Sequence, residues 1–151
     1  VAAVSIEILG LLIKHISPHE ILQLEKHSQP SPLVRMLYGG ITEEILLRFG
    51  LMTFLSWVIL KLAPTAKSAV YWTSISVSSV VFALGHLPVV LNTIHQPSVA
   101  LIGYILAANS IGGLLFGWLY WKKGLEASMV GHMTAHGVML LGLTIFPSTL
   151  P

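Results

Sequence analysis

The 151-residue sequence lacks two residue types that each support a class of active site. It has no cysteine, which excludes disulfide bonds and thiol catalysis and leaves the redox compartment undetermined. It also has no aspartate, because all six acidic residues are glutamates. A protease site built on two aspartates is therefore excluded.

Charge is scarce as well. Charged residues make up 9% of the chain and hydrophobic residues 54%, whereas a soluble domain carries about 25% charged residues. With a mean hydropathy of +0.81, this composition indicates an integral membrane protein with the lipid bilayer as its surroundings. The net charge of +2, the scattered basic residues and the lack of a glycine-rich phosphate loop argue against a nucleic-acid partner.

The apolar runs predict an all-α, polytopic transmembrane helix bundle with four full spans. Each run can cross about 30 Å of hydrocarbon, and lipid requires its backbone to be helical. Residues 1–32 are predicted to form a partial N-terminal helix and a polar connector, and residues 33–147 the core. The connector contains either a short interfacial helix at Ile21–Lys26 or a loop. Because the chain begins at Val1, we expect a fragment. The predicted spans are Leu33–Leu62, Ala66–Val90, Ser98–Trp121 and Leu125–Phe146.

Small residues predict where helices approach one another. Gly113 and Gly117 are four residues apart in the third span and form a small face of the kind that lets two membrane helices pack closely. Gly39 and Gly40 indicate a similar approach in the first span, and Gly124 indicates a tight turn between the third and fourth.

Three charged side chains, Glu43, Glu44 and Arg48, lie in the middle of the first span, where each costs at least about 2.5–3.5 kcal/mol to insert. Glu44 and Arg48 are four residues apart on one helix face, in the favourable order for an ion pair. Glu43 points away from Arg48 and is left for chemistry. The alternative is that all three side chains form one structural network.

Three histidines lie inside apolar spans: His86, His132 and His136. His132 and His136 share a helix face, and Phe82 shares one with His86. At 1.5 Å per residue, these histidines, Glu43 and Asn109 fall within about two helical turns of one depth. Any single buried histidine can also be a hydrogen-bonded core residue, but groups at one depth can find each other as partners.

This set of side chains permits the activation of water. A desolvated glutamate can act as general base, and imidazoles or an amide can stabilise a developing oxyanion. Other intramembrane hydrolase sites do not fit. The run His19-Glu20-Ile21-Leu22-Gln23 fails the His-Glu-x-x-His zinc motif at its last position, and no Gly-x-Ser-x-Gly motif is present.

Three motifs resemble those of the CAAX-prenyl protease and bacteriocin-processing family, also called the Abi family, over roughly Leu33 to Phe146. Glu43-Glu44-Ile45-Leu46-Leu47-Arg48 resembles its Glu-Glu-x-x-x-Arg motif, and Phe82-Ala83-Leu84-Gly85-His86 resembles its Phe-x-x-x-His motif. Its glycine-spaced third and fourth helices resemble Asn109 through Gly113, Gly117, Tyr120, Gly124-Leu125, Ala127 and His132.

The resemblance implies an intramembrane endopeptidase in a bacterial cell membrane, acting on a membrane-associated peptide or protein with or without a prenyl group. It implies that Glu43 activates water with the help of His86, and that His132 and the residue four later form the oxyanion side. That residue is often asparagine in the family and is His136 here. Glu44, Arg48, Asn109 and Phe82 would support the site.

Two other functions stay open at this point. The chain could be a non-catalytic membrane immunity or scaffold protein that keeps these residues for stability. It could also bind or transport a metal through its three buried histidines. We predict no cofactor, although zinc is possible. A metal-dependent enzyme would use Glu43, His86 and His132 as ligands.

Overall fold

The computed structural model describes residues 2–27, 31–63 and 67–145. This part of the chain is helical and contains no strand, which confirms the predicted all-α class. The described helices are α1 (Ala2–Ile16), α2 (Pro18–His27), α3 (Pro32–Leu62), α4 (Lys67–Gly85), α5 (Leu87–Thr93), α6 (Val99–Lys123) and α7 (Leu125–Ile145).

Three stretches of the described chain are long and apolar enough to cross a membrane: Pro32–Leu62, Lys67–Thr93 and Val99–Lys123. They correspond to the first three predicted spans. Helix α7, of 21 residues, occupies the fourth, but it is not among these stretches, so the number of spans stays a prediction. The division of the chain at residue 32 also stays a prediction. The predicted end of the fourth span at Phe146 lies outside the described residues.

Helix α3 departs from regular α geometry where it carries the charged residues. Its segments Arg35–Glu43 and Ile45–Met52 are π-helical, and Glu44 lies between them. A π-helix closes its hydrogen bonds five residues apart rather than four and occurs mostly as single turns near functional sites. The charged motif therefore lies in an unusually long stretch of widened helix.

Helices α4 and α6 pack closely through glycines, as predicted. A Cβ atom at Gly113 would lie 2.8 Å from the Cβ of Ser79, and one at Gly117 would lie 3.1 Å from a methyl group of Ile75. Neither position has room for a larger side chain without moving α4. This contact fixes the two helices that carry Phe82, His86 and Asn109.

The N-terminal helices pack on the start of α6. The residues that form this apolar cluster are Ile13, Ile21, Val90, Ile94 and Leu101. Here α2 is a helix rather than the alternative loop, and its Glu20 carboxylate accepts hydrogen bonds from the Ser98 backbone and hydroxyl at 2.6 and 2.5 Å. Partial burial raises the pKa of Glu20, but the hydrogen bonds from Ser98 and Ser17 outweigh it and hold the pKa below its ordinary value. The ionised Glu20 thus joins α2 to the N-terminus of α6.

Two breaks in the helices are explained by their residues. Pro88 has no N–H to donate, and the chain turns at His86 before α5 begins. Gly124 adopts a φ of 95°, a conformation that favours glycine, and so forms the predicted turn between α6 and α7. The first break leaves the His86 ring at the end of α4, where it can face the interior of the bundle.

Candidate active site

The described residues line a half-open cavity of about 540 Å³, and all seven described helices contribute to its lining. Its walls are mainly apolar, as ligand-binding cavities usually are. The polar side chains that line it include all four predicted catalytic residues and the predicted supporting amide. They are Glu43, His86, Asn109, His132 and His136.

The predicted ion pair between Glu44 and Arg48 is present. The Arg48 Nε donates to Glu44 Oε2 over 3.2 Å, and both side chains are fully buried. The guanidinium also lies 5.3 Å from the centre of the Phe82 ring, a distance at which a cation is attracted by the ring face. Neither terminal nitrogen of Arg48 has a hydrogen-bond partner among the described residues.

Glu44 does more than hold Arg48. Its Oε1 accepts a hydrogen bond from His132 Nδ1 over 2.9 Å, and its Oε2 contacts the hydroxyl of Ser128. Ser128 also lies 2.9 Å from the Phe116 carbonyl. Because a hydroxyl carries one proton and a carboxylate paired with a cation is the stronger acceptor, Ser128 donates to Glu44. The buried carboxylate therefore joins α3 to α7.

This contact determines which nitrogen of His132 carries a proton. An ionised carboxylate can only accept, so His132 Nδ1 is protonated. Its Nε2 faces the other glutamate of the motif, 3.9 Å from Glu43 Oε2. The ring is held between Phe116, at 4.4 Å, and His136, at 4.8 Å between ring centres. His132 thus lies between the two adjacent carboxylates.

His86 is oriented by its own helix. Its Nδ1 lies 2.9 Å from the Phe82 carbonyl, and because a carbonyl only accepts, this nitrogen is the protonated one. The Phe82 ring meets His86 edge to face, with ring centres 4.8 Å apart. The Nε2 of His86 is left for another partner. Within the described part of the chain, His86 and Glu43 line the same cavity without a direct hydrogen bond or ion pair.

His136 is seated against the backbone of α3. A Cβ atom at Gly39 would lie 2.5 Å from His136 Nε2, so only glycine gives the ring this position. Its Nδ1 is buried and has no hydrogen-bond partner within the described residues. An unpaired buried group in a native structure calls for an explanation, and a catalytic role is one of them.

Asn109 reaches the cavity from α6. Its Nδ2 donates one proton to the Ile105 carbonyl over 2.8 Å. An amide nitrogen carries two protons, so a second N–H can still donate a hydrogen bond into the cavity. The side-chain oxygen can accept one.

The donor set does not fit a zinc ion. Within residues 2–27, 31–63 and 67–145, no three histidine, glutamate, aspartate or cysteine side chains are arranged to hold a metal. Zinc sites in proteins need three or four ligands at about 2.0–2.3 Å. Among the described residues, the alternative set of Glu43, His86 and His132 does not provide them.

The sequence analysis missed Ser128 and the wider role of Glu44. Ser128 precedes His132 by four residues, so the three polar positions 128, 132 and 136 follow one face of α7. This spacing could have identified Ser128 as a third polar side chain on the helix face that carries the two histidines. Nothing in the sequence indicated that its partner would be Glu44, which is 84 residues away.

Replacing Ser128 with alanine tests this contact. We expect Ser128→Ala to lower the thermal unfolding temperature, because a hydrogen bond to a buried charge contributes about 1.5–3 kcal/mol. Ser78→Ala is the matched control, since Ser78 is equally buried but donates only to Ile75 of its own helix. Equal effects of the two substitutions would contradict a role for Ser128 in holding Glu44.

Comparison with known proteins assigns the family. A family model described as type II CAAX prenyl endopeptidase, Rce1-like, matches residues 29–138, which is more than half of the chain. Neither a search of curated proteins nor a search of solved structures finds a match. The matched region contains Glu43, His86, Asn109, His132 and His136 of the cavity lining, together with Glu44, Arg48 and Ser128. The chain therefore belongs to the Rce1-like type II CAAX prenyl endopeptidase family, a family of membrane proteases.

Proposed function

We propose that the chain is an intramembrane endopeptidase that hydrolyses a peptide bond with water activated by Glu43. One observation carries the proposal. A carboxylate, three imidazoles and an amide from α3, α4, α6 and α7 line one cavity. Burying polar groups in an apolar bundle costs free energy unless they form hydrogen bonds with each other. Polar groups that are kept inside a membrane protein at this cost usually have a function.

Glu43 is the group best suited to be the general base. Glu44 is fully buried and already paired with Arg48, Ser128 and His132, whereas the Glu43 side chain is 19% exposed and borders the cavity. Glu43 takes a proton from water while the water oxygen bonds to the substrate carbonyl carbon. When the C–N bond breaks, the same proton passes to the leaving amine. His86 holds the water through its Nε2.

The oxyanion of the tetrahedral intermediate needs donors. His136 and Asn109 supply them from two sides of the cavity, and neither needs an extra proton to do so. His132 is different, because its Nδ1–H is committed to Glu44. We propose that Glu44 holds the His132 ring on the oxyanion side of the cavity, where its Nε2 lies 3.9 Å from Glu43 Oε2.

The shape and polarity of the cavity support an apolar substrate. Side chains of α1, α2, α6 and α7 supply most of its apolar lining. A prenylated peptide or protein in the membrane would place its lipid group against this surface. The apolar residues of this lining include Ile6, Ile13, Leu24, Ile105 and Met139.

The proposal is tested by assaying the purified protein in lipid nanodiscs. We expect cleavage of a farnesylated peptide that ends in Cys-Val-Leu-Ala, a sequence with the pattern that the family description names. A farnesyl group buries many CH₂ groups at about 0.8 kcal/mol each, so we expect the same peptide without farnesyl to have a much higher KM. Folded protein that cleaves neither peptide would contradict the proposal.

A further inference from the structure

Three aromatic rings form a cluster where α4 begins and α6 ends. Tyr71 stacks on Trp121 with ring centres 5.1 Å apart, and Trp72 meets the same Trp121 ring edge to face at 6.0 Å. Each ring keeps part of its surface exposed. The ends of two stretches that can cross a membrane therefore present tyrosine and tryptophan together, the residues that are enriched where hydrocarbon meets the lipid headgroups.

Lysines border this aromatic cluster. The Lys122 Nζ lies 3.5 Å from the centre of the Trp121 ring, within the range of a cation–π contact. Lys67 precedes Tyr71 by four residues and shares its face of α4, and Lys123 is the last residue of α6. All three lysines are exposed, and none of them is paired with a carboxylate among the described residues. The surface therefore carries positive charge that no described acid neutralises.

This surface is separate from the candidate active site. Neither its three rings nor its three lysines line the cavity. Along α4, Tyr71 lies eleven residues before Phe82, and along α6, Trp121 lies twelve residues after Asn109. At 1.5 Å per residue, the aromatic cluster is about 16–18 Å from the polar groups of the site. Hydrolysis in the cavity therefore does not account for these residues.

We propose that this surface binds the headgroup of an anionic phospholipid of the surrounding bilayer. Lysine ammonium groups bind phosphate oxygens as point charges, and lysines next to a membrane span are attracted to anionic lipids. Lys67 and Lys122 belong to different helices, so a phosphate that contacts both would join the start of α4 to the end of α6. The bound lipid would thereby stabilise the pair of helices that carries His86 and Asn109.

The aromatic cluster favours a lipid over a soluble anion. The exposed parts of the three rings are apolar surface next to the cations, and a lipid can cover them with its glycerol backbone and the first methylene groups of its chains. A soluble phosphate would contact the lysines alone and leave the rings uncovered. The surface thus matches a molecule with a negative headgroup and an apolar body.

Quenching of tryptophan fluorescence by brominated lipids tests the proposal at Trp121 itself. The chain has four tryptophans, so replacing Trp57, Trp72 and Trp118 with phenylalanine leaves Trp121 as the reporter. The protein is placed in vesicles of phosphatidylglycerol and phosphatidylcholine in which one or the other lipid is brominated. We expect the anionic lipid to bind beside Trp121 about 5- to 25-fold more tightly, because each lysine near an anionic surface contributes about five-fold. The preference should fall as salt is added.

Variants show whether the lysines cause the preference. Lys67→Gln combined with Lys122→Gln in the same reporter protein should abolish it. Lys26→Gln, at an exposed cation of α2, removes a charge outside this surface and should keep it. Equal quenching by the two lipids before any lysine is changed would overturn the proposal and leave an ordinary aromatic belt. Loss of the preference when inorganic phosphate is added at constant ionic strength would assign the lysines to a soluble anion and would also overturn it.

A second measurement uses the protein with all its tryptophans. Native mass spectrometry of protein released from nanodiscs with equal amounts of the two lipids should show phosphatidylglycerol retained over phosphatidylcholine. The Lys67→Gln, Lys122→Gln protein should lose this difference, and Lys26→Gln should keep it. Retention of the two lipids in equal amounts by the native protein would overturn the proposal. Neither experiment requires turnover, so the result does not depend on whether the chain cleaves a peptide.

Discussion

Replacing Glu43 with glutamine is expected to lower kcat for hydrolysis of the farnesylated peptide by about 10²–10⁴-fold, the usual contribution of a general base. Glutamine has the shape of glutamate but cannot take the proton from water. Its neighbour His132 would keep its hydrogen bond to Glu44. The rate and the thermal unfolding temperature are measured on the same nanodisc sample, so that lost chemistry is separated from lost structure.

The control for this prediction is Glu126→Gln. Glu126 is an exposed acid in the first turn of α7, so the substitution removes the same charge away from the cavity. We expect it to leave the rate unchanged. Hydrolysis by Glu43→Gln at the native rate would show that another group activates the water and would favour the non-catalytic interpretation of the charged motif.

Replacing Arg48 with methionine is expected to have the largest effect on stability. It leaves the Glu44 carboxylate buried without its cation, and removing one partner of a buried ion pair typically costs about 3–5 kcal/mol. Arg48 is fully buried and also lies over the ring of Phe82, so packing is lost with the charge. Thermal unfolding and the yield of protein that extracts from membranes without aggregating measure the effect.

The double variant Glu44→Gln with Arg48→Met shows where the cost arises. Because the cost comes mainly from an uncompensated buried charge, removing both charges should recover a good part of the lost stability. It should not recover activity, since His132 would lose the carboxylate that orients it. A double variant no more stable than Arg48→Met alone would show that the guanidinium matters for its packing rather than for its charge.

Local periodicity was enough to predict several features of the fold and the site. The pairing of Glu44 with Arg48 and the alignment of Phe82 with His86 follow from residues four apart on a helix. The close approach at Gly113 follows from side-chain size. In each case the relevant partner is on the same helix or the requirement is steric, so one stretch of sequence contains the information.

Other features depend on contacts between distant segments. The hydrogen bonds from His132 and Ser128 to Glu44 join residues more than 80 positions apart. The π-helical turns of α3 have no proline or other local signal that distinguishes them from an α-helix. The sequence indicates the chemical groups, but tertiary packing determines which of them meet.

The seating of His136 on Gly39 has an evolutionary consequence. Since a Cβ at position 39 would overlap the His136 ring, the two positions should not vary independently. A related protein with asparagine at position 136 has a smaller side chain there and should accept alanine at position 39. A protein with histidine should keep glycine. An alignment of relatives should therefore show the two positions changing together, with the larger residue on only one side of the contact.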